Sequence, residues 1–106
     1  MENTGPSFRR RLLLESLAVL AADASAQVAW LAGHGVQADE IALDFDHAYG
    51  LAPLLVEEGR LGHGVLPDLR EIDAVCAGMT GDDWTREALR TGEGWDRVRH
   101  AARRVL

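Results

Sequence analysis

Apolar residues along this chain recur at spacings of three and four, and no stretch keeps up the strict alternation of a strand. Leu13, Leu17, Leu20 and Ala24 make one stripe after Gly5-Pro6, and Phe8, Leu12 and Val19 make a second. This predicts a first helix N-capped by Ser7 and apolar on two sides, hence well buried or in contact with a partner. Asp23 or Ser25 offers a break, followed by a helix carrying Val28, Trp30 and Leu31 that stops at Gly33. An unbroken helix from Ser7 to Ala32 is the alternative, since neither Gly nor Pro interrupts it.

The third helix has the clearest pattern. Asp39 is its expected N-cap, and Glu40 falls in the first turn, where the helix dipole favours an acid. Ile41, Phe45, Ala48, Tyr49, Ala52, Leu55 and Val56 form its core face, and Gly59 ends it. Pro53 lacks an N–H and crowds the Tyr49 carbonyl, which predicts a kink. A fourth helix starts at Pro67 or Asp68, carries Leu69, Ile72, Val75, Cys76 and Met79, and closes at Thr80-Gly81. GDDWTREALRTGEG then reads as a capped turn, a short helical piece through Leu89 and a Gly-rich break. In the final helix, Glu93 to Arg104, Trp95, Val98, Ala102 and Val105 line the inside, with Arg97, Arg99, Arg103 and Arg104 on or beside the solvent side. The expected fold is all-α: one compact domain over 7–106, a bundle of four to five short helices with sequence neighbours antiparallel, after a loose N-terminus at 1–6.

Composition narrows the function more by exclusion than by assignment. The single cysteine excludes an intrachain disulfide and a multi-cysteine zinc site. No apolar run nears the ~18 residues of a membrane span. The first 26 residues have the outline of a signal peptide, but Glu15 and Asp23 interrupt the apolar region, so a cytoplasmic protein is expected. All 11 basic residues are arginine, a usage that suits a GC-rich bacterial genome.

Charge is unevenly placed. The net charge is −6, yet Leu12 to Asp83 holds 13 carboxylates against Arg60 and Arg70 alone, while both ends are net basic. Either the ends fold back on the middle, or the acidic surface meets a basic partner. Nucleic acid is excluded as a partner, because phosphate contacts need a basic face. The stretch LAPLLVEEGRLG resembles the end of a recognition helix in winged-helix proteins over those 12 residues. Its helix carries Asp44, Asp46, Glu57 and Glu58 and no arginine, so phosphate would repel it, and only a helix-turn-helix shape is implied.

Two segments nearly repeat: GHGVQAD at 33–39 and GHGVLPD at 62–68. His34 and His63 are candidates to converge on a metal or phosphate. Turn chemistry explains the repeat more simply, with Gly35 and Gly64 each ending a helix, Val36 and Val65 packing back, and Asp39 and Asp68 capping the next. Asp44 and His47 have the spacing of a carboxylate–histidine metal pair, for which only Asp96 and His100 offer a matching second pair. Serines stand only at 7, 16 and 25, none in a nucleophile turn, and Cys76 sits among apolar helix positions, so no catalytic residue, cofactor or metal site is assigned.

The expected function is a non-enzymatic, acidic protein-binding module, in its most concrete form an immunity- or antitoxin-type inhibitor of a basic partner such as a nuclease toxin. Leu43, Leu51 and Leu54 fall outside the core stripe of the third helix, so either that helix is central and buried on two sides or the three leucines form the expected binding surface. Glu40, Asp44, Asp46, His47, Glu57 and Glu58 surround them. The alternatives are a small helical metal- or ligand-binding protein using Asp44 and His47 with the loop histidines His34 or His63, and a homodimeric regulatory or structural subunit joined through the three leucines.

Overall fold

The computed structural model describes residues 6–106. Over them the chain forms α1 (Pro6–Ala21), α2 (Ala24–His34), α3 (Asp39–Tyr49), α4 (Ala52–Glu57), α5 (Leu66–Ala77), α6 (Arg86–Thr91) and α7 (Glu93–Val105). Single 3-10 turns at His63–Val65 and Gly81–Trp84 lead into α5 and α6, and no strand occurs among the described residues. The all-α expectation holds, but the count of four to five helices is too low. Pro53 accounts for part of the difference. Instead of a kink there is a break: Leu51 tightens to bond the Ala48 carbonyl, and α4 begins afresh with Pro53 in its first turn.

Other boundaries also differ from the sequence pattern. Pro6, not Ser7, opens α1, and the other residues of the expected loose N-terminus lie outside the described residues. The chain does break after α1, at Ala22–Asp23, so the unbroken alternative fails. Asp39 is the first residue of α3 rather than its cap, and Asp68 lies within the first turn of α5; neither caps a backbone N–H. Both remain at the end where a helix favours an acid.

The two GHGV segments adopt different conformations. Gly35 is left-handed (φ 63°), and Val36 bonds back to the Leu31 carbonyl, ending α2 as expected. The second copy starts a helix instead: His63–Val65 is the 3-10 turn entering α5, and Gly64 is not left-handed. The chain has already left α4 at Gly59 (φ 72°), so Gly64 has no helix to end.

The core is assembled by helices distant in sequence. Leu13, Leu17 and Leu20 of α1, Ile41 and Phe45 of α3, and Val98, Ala101 and Ala102 of α7 belong to one buried cluster, with α1 packed on both α3 and α7. α7 also packs on α5, whose Leu69 and Ile72 lie in the same cluster. The main packings thus join α1 with α3, α1 with α7 and α5 with α7, whereas the expectation was that sequence neighbours would pair. Trp95 is buried, donates from its indole to the Asp83 carbonyl (2.8 Å) and meets Trp84 edge-on at 6.1 Å. The turn before α6 is capped as expected, with the Thr80 N–H on the Asp83 carboxylate (2.9 Å) and the Ala88 N–H on the Thr85 hydroxyl (3.0 Å).

Arg99 is the clearest departure from the sequence reading. Expected beside the solvent face of α7, it is only 7% exposed. It lies four residues past Trp95 and three before Ala102, so helical geometry puts it on the core face whatever its charge. Its guanidinium donates to the Gln27 side-chain oxygen (3.3 Å) and to the Leu89 carbonyl. Gln27, wholly buried, donates at 3.0 Å to both the Val19 and Leu20 carbonyls at the end of α1. One polar chain therefore links α1, α2, α6 and α7. Burial pushes the Arg99 pKa down, opposed in part by Asp96.

Candidate functional site

The basic ends do fold back onto the acidic middle. Arg9 of α1 pairs with Glu58 (2.9 Å), Arg103 with Asp23 (3.0 Å), and Arg104 with Asp68 (2.9 Å) and Glu71 (3.5 Å). These contacts neutralise part of the acidic segment. They leave Asp39, Glu40, Asp44 and Asp46 on α3, and Asp73 on α5, with no ion pair among the described residues. Glu57 on α4 and Asp82 and Asp83 of the second 3-10 turn also lack an ion pair among the described residues, so α3 carries four of the acids left in this state.

The helix places the expected site residues on several faces. Ile41, Phe45 and Ala48 turn inward, and Leu43, opposite them, is 56% exposed. Leu54 on α4 is 41% exposed, while Leu51, in the turn between, is half-buried. Glu40 is half-buried in the first turn; Glu57 and Glu58 are exposed at the end of α4, where Glu58 is held by Arg9. Leu43 and Asp46 border one cavity, and Asp44 and His47 border another on the opposite flank of α3. The single surface expected from the sequence is therefore divided between two flanks of α3 and the end of α4.

The first cavity is a groove of about 290 Å³ between α3 and α5, closed at one end by Trp84. α3 and α5 touch only lightly there, and Ala42 on one wall and Ala77 on the other leave the space open. Phe45 and Cys76 contribute to its apolar lining, and Asp39, Asp46 and Asp73 stand around it. Burial, then the charges of Asp73 and Asp46, push the Cys76 thiol up to about 11, so it stays protonated at neutral pH and is a poor nucleophile. Asp39, Asp73, Cys76 and Trp84 are additions to the residues assigned from sequence. Their helical periods were legible, but nothing local showed that α5 lies beside α3.

The second cavity, about 390 Å³, lies between α1, α2 and α3 and is lined in part by Glu15, Trp30, His34, Asp44 and His47. His34 stacks on Trp30 (4.2 Å between ring centres) and donates to the Trp30 carbonyl (2.8 Å), so it finishes the helix it ends. His63 lines neither cavity. Asp96 and His100 pair with each other on the exposed side of α7. Among the described residues no group of three or more His, Cys, Asp or Glu side chains is placed to hold a metal ion. No described helix is long and apolar enough to cross a membrane.

Comparison with known proteins finds no protein family, no curated protein and no solved structure that matches this chain.

Proposed function

We propose that this protein is a non-enzymatic binding module whose acidic α3 face engages a basic protein, most concretely as a cytoplasmic bacterial immunity or antitoxin protein that neutralises a cationic toxin such as a nuclease. One observation carries the reading. The arginines of α1 and α7 satisfy Asp23, Glu58, Asp68 and Glu71, while four carboxylates of α3 around exposed Leu43 have no ion pair among the described residues. An apolar centre with a charged rim suits a protein partner, and unpaired like charges raise the encounter rate with an opposite charge. An occluding carboxylate face would stand where a nuclease holds substrate phosphate. The homodimer reading is disfavoured by the same charges, because a two-fold contact at Leu43 would bring Asp44 and Asp46 of both copies together.

The test is a partner screen at low salt, beginning with the products of adjacent reading frames, followed by association rates at rising ionic strength. A basic partner is expected, with association slowing by about tenfold or more toward molar salt and slowed likewise by Asp44→Asn/Asp46→Asn. A partner of neutral or acidic charge, or an association rate indifferent to salt, refutes the proposal.

A further inference from the structure

We infer that the groove between α3 and α5 seats a cationic amphipathic helix of the partner, an apolar side chain entering beside Phe45, Cys76 and Trp84 and flanking arginines or lysines meeting Asp46 and Asp73. This rests on the reading of the protein as a binder of basic proteins, and adds the structural form of what is bound.

Three observations fix the occupant. The lining is mainly apolar and deep enough for a side chain, so the occupant must bring an anchor and not charge alone. The carboxylates stand on both walls: Asp39 and Asp46 come from α3, Asp73 from α5, and none has an ion pair among the described residues. Asp46 and Asp73 both act on the Cys76 thiol, which places their fields over the same point of the groove. A cation entering there meets two negative charges and displaces no ion-pair partner among the described residues.

The walls then decide the backbone form. α3 and α5 keep their own N–H and C=O groups in helical bonds, and no strand edge exists among the described residues. An extended occupant would find no backbone partners along the groove, whereas a helix satisfies its own. α5 has 12 residues, about 18 Å at the helical rise, so an occupant of three to four turns matches its wall. A second copy of this chain is the poorer occupant: its own acidic α3 would be repelled, and its arginine-bearing α7 has Arg103 and Arg104 already engaged.

The probe is a labelled peptide of about 12 residues, long enough to line α5, with leucines on one helical face and arginines beside them. Two controls replace the arginines by glutamate, or the leucines by alanine. Binding is followed by anisotropy and by the indole N–H signals of the protein. Trp84 borders this groove and Trp30 the other cavity, so the two signals report separate sites. The Trp84 signal is expected to move and the Trp30 signal to stay. Asp46→Asn/Asp73→Asn should weaken binding about five- to tenfold, and Ala77→Phe, which fills the groove from its exposed wall, should abolish it. Both controls should fail to bind, and thermal melts verify that the variants fold.

Movement of Trp30 alone, equal binding of the glutamate control, or unchanged affinity in Asp46→Asn/Asp73→Asn overturns the inference. So does a dimer in sedimentation that Leu43→Glu dissociates. A native basic partner that binds while Trp84 stays silent overturns the groove assignment and leaves the wider reading standing. A peptide seated at Trp84 where no basic protein partner is found upholds the groove chemistry and removes the wider reading.

Discussion

At the scale of single residues, space and backbone angle set the tolerances. A Cβ on Gly92 would sit 2.6 Å from the Ala88 carbonyl oxygen, a contact that side chains do not make. Gly92→Ala should therefore cost about 2 kcal/mol in urea unfolding, because the join between α6 and α7 must shift. Gly35 and Gly64 occupy matching places in the repeated tetrapeptide, yet only Gly35 is left-handed. Gly35→Ala is expected to lose about 1 kcal/mol and Gly64→Ala to stay within about 0.5 kcal/mol of the parent, compared in parallel melts. Cys76 is the residue whose ionisation bears on stability. Its pKa is raised in the fold, so the protonated thiol is the form that folding favours. That contribution is complete below pH 9 and is lost as pH rises toward about 11. The stability difference between the parent and Cys76→Ala should shrink by about 1 kcal/mol between pH 8 and pH 10.5, after discounting for the solvent that reaches the thiol. Alkylation of Cys76 should be slow at pH 8 and accelerate only in the same alkaline range.

At the scale of elements, the structure is tied by the Gln27–Arg99 chain as well as by apolar packing. Gln27→Leu strips Arg99 of one acceptor and leaves the Val19 and Leu20 carbonyls without their donor. A loss of about 3 kcal/mol is expected, and Gln27→Leu/Arg99→Met should lose clearly less than the sum of its parts, which a double-mutant cycle measures. This chain was hidden in the sequence for a physical reason. The period of α7 put position 99 inside, but arginine is rarely buried without a carboxylate, and the acceptors that make it tolerable lie 72 and 10 residues away. What the sequence did carry were the periodic faces. The stripes of α1, α3, α5 and α7 contain most of the core, including Leu13, Ile41, Phe45, Leu69, Ile72 and Trp95. Boundaries were less legible, since an acid in a first turn, such as Asp39, and an acid at the cap look alike along a chain. The GHGV repeat shows how far the setting counts: Gly35 follows a helix and ends it, while Gly64 follows Gly59 and Gly62 and opens one.

At the scale of the whole molecule, charge is sorted rather than merely abundant. Arg103 and Arg104 reach acids as many as 80 residues away, and the carboxylates of α3 have no ion pair among the described residues. Asp44 and Asp46 lie in the second half of α3, where the helix dipole disfavours an acid, and Glu40 stands four residues before Asp44. Neutralising them should help the fold while it weakens binding: Asp44→Asn/Asp46→Asn is expected to gain about 0.5 kcal/mol at low salt, a gain that added salt removes. Calorimetry at two ionic strengths reads this, and a loss of stability at low salt would count against an α3 face held unpaired for a partner. The bias in charge was visible in the sequence. Its division into satisfied and bare acids was not, because it depends on where α1 and α7 come to rest. The groove beside α3 was hidden for the same reason, as α5 is held there chiefly by its packing on α7, which packs in turn on α1.

That packing also fixes an order of events during synthesis. α7 leaves the ribosome after every other described helix, yet it covers α1 and α5 at once. Until it arrives, Leu13, Leu17, Leu69 and Ile72 lack part of their cover and offer the apolar surface that chaperones and proteases recognise. A premature stop within α7 would therefore yield a chain cleared by quality control rather than a weaker binder.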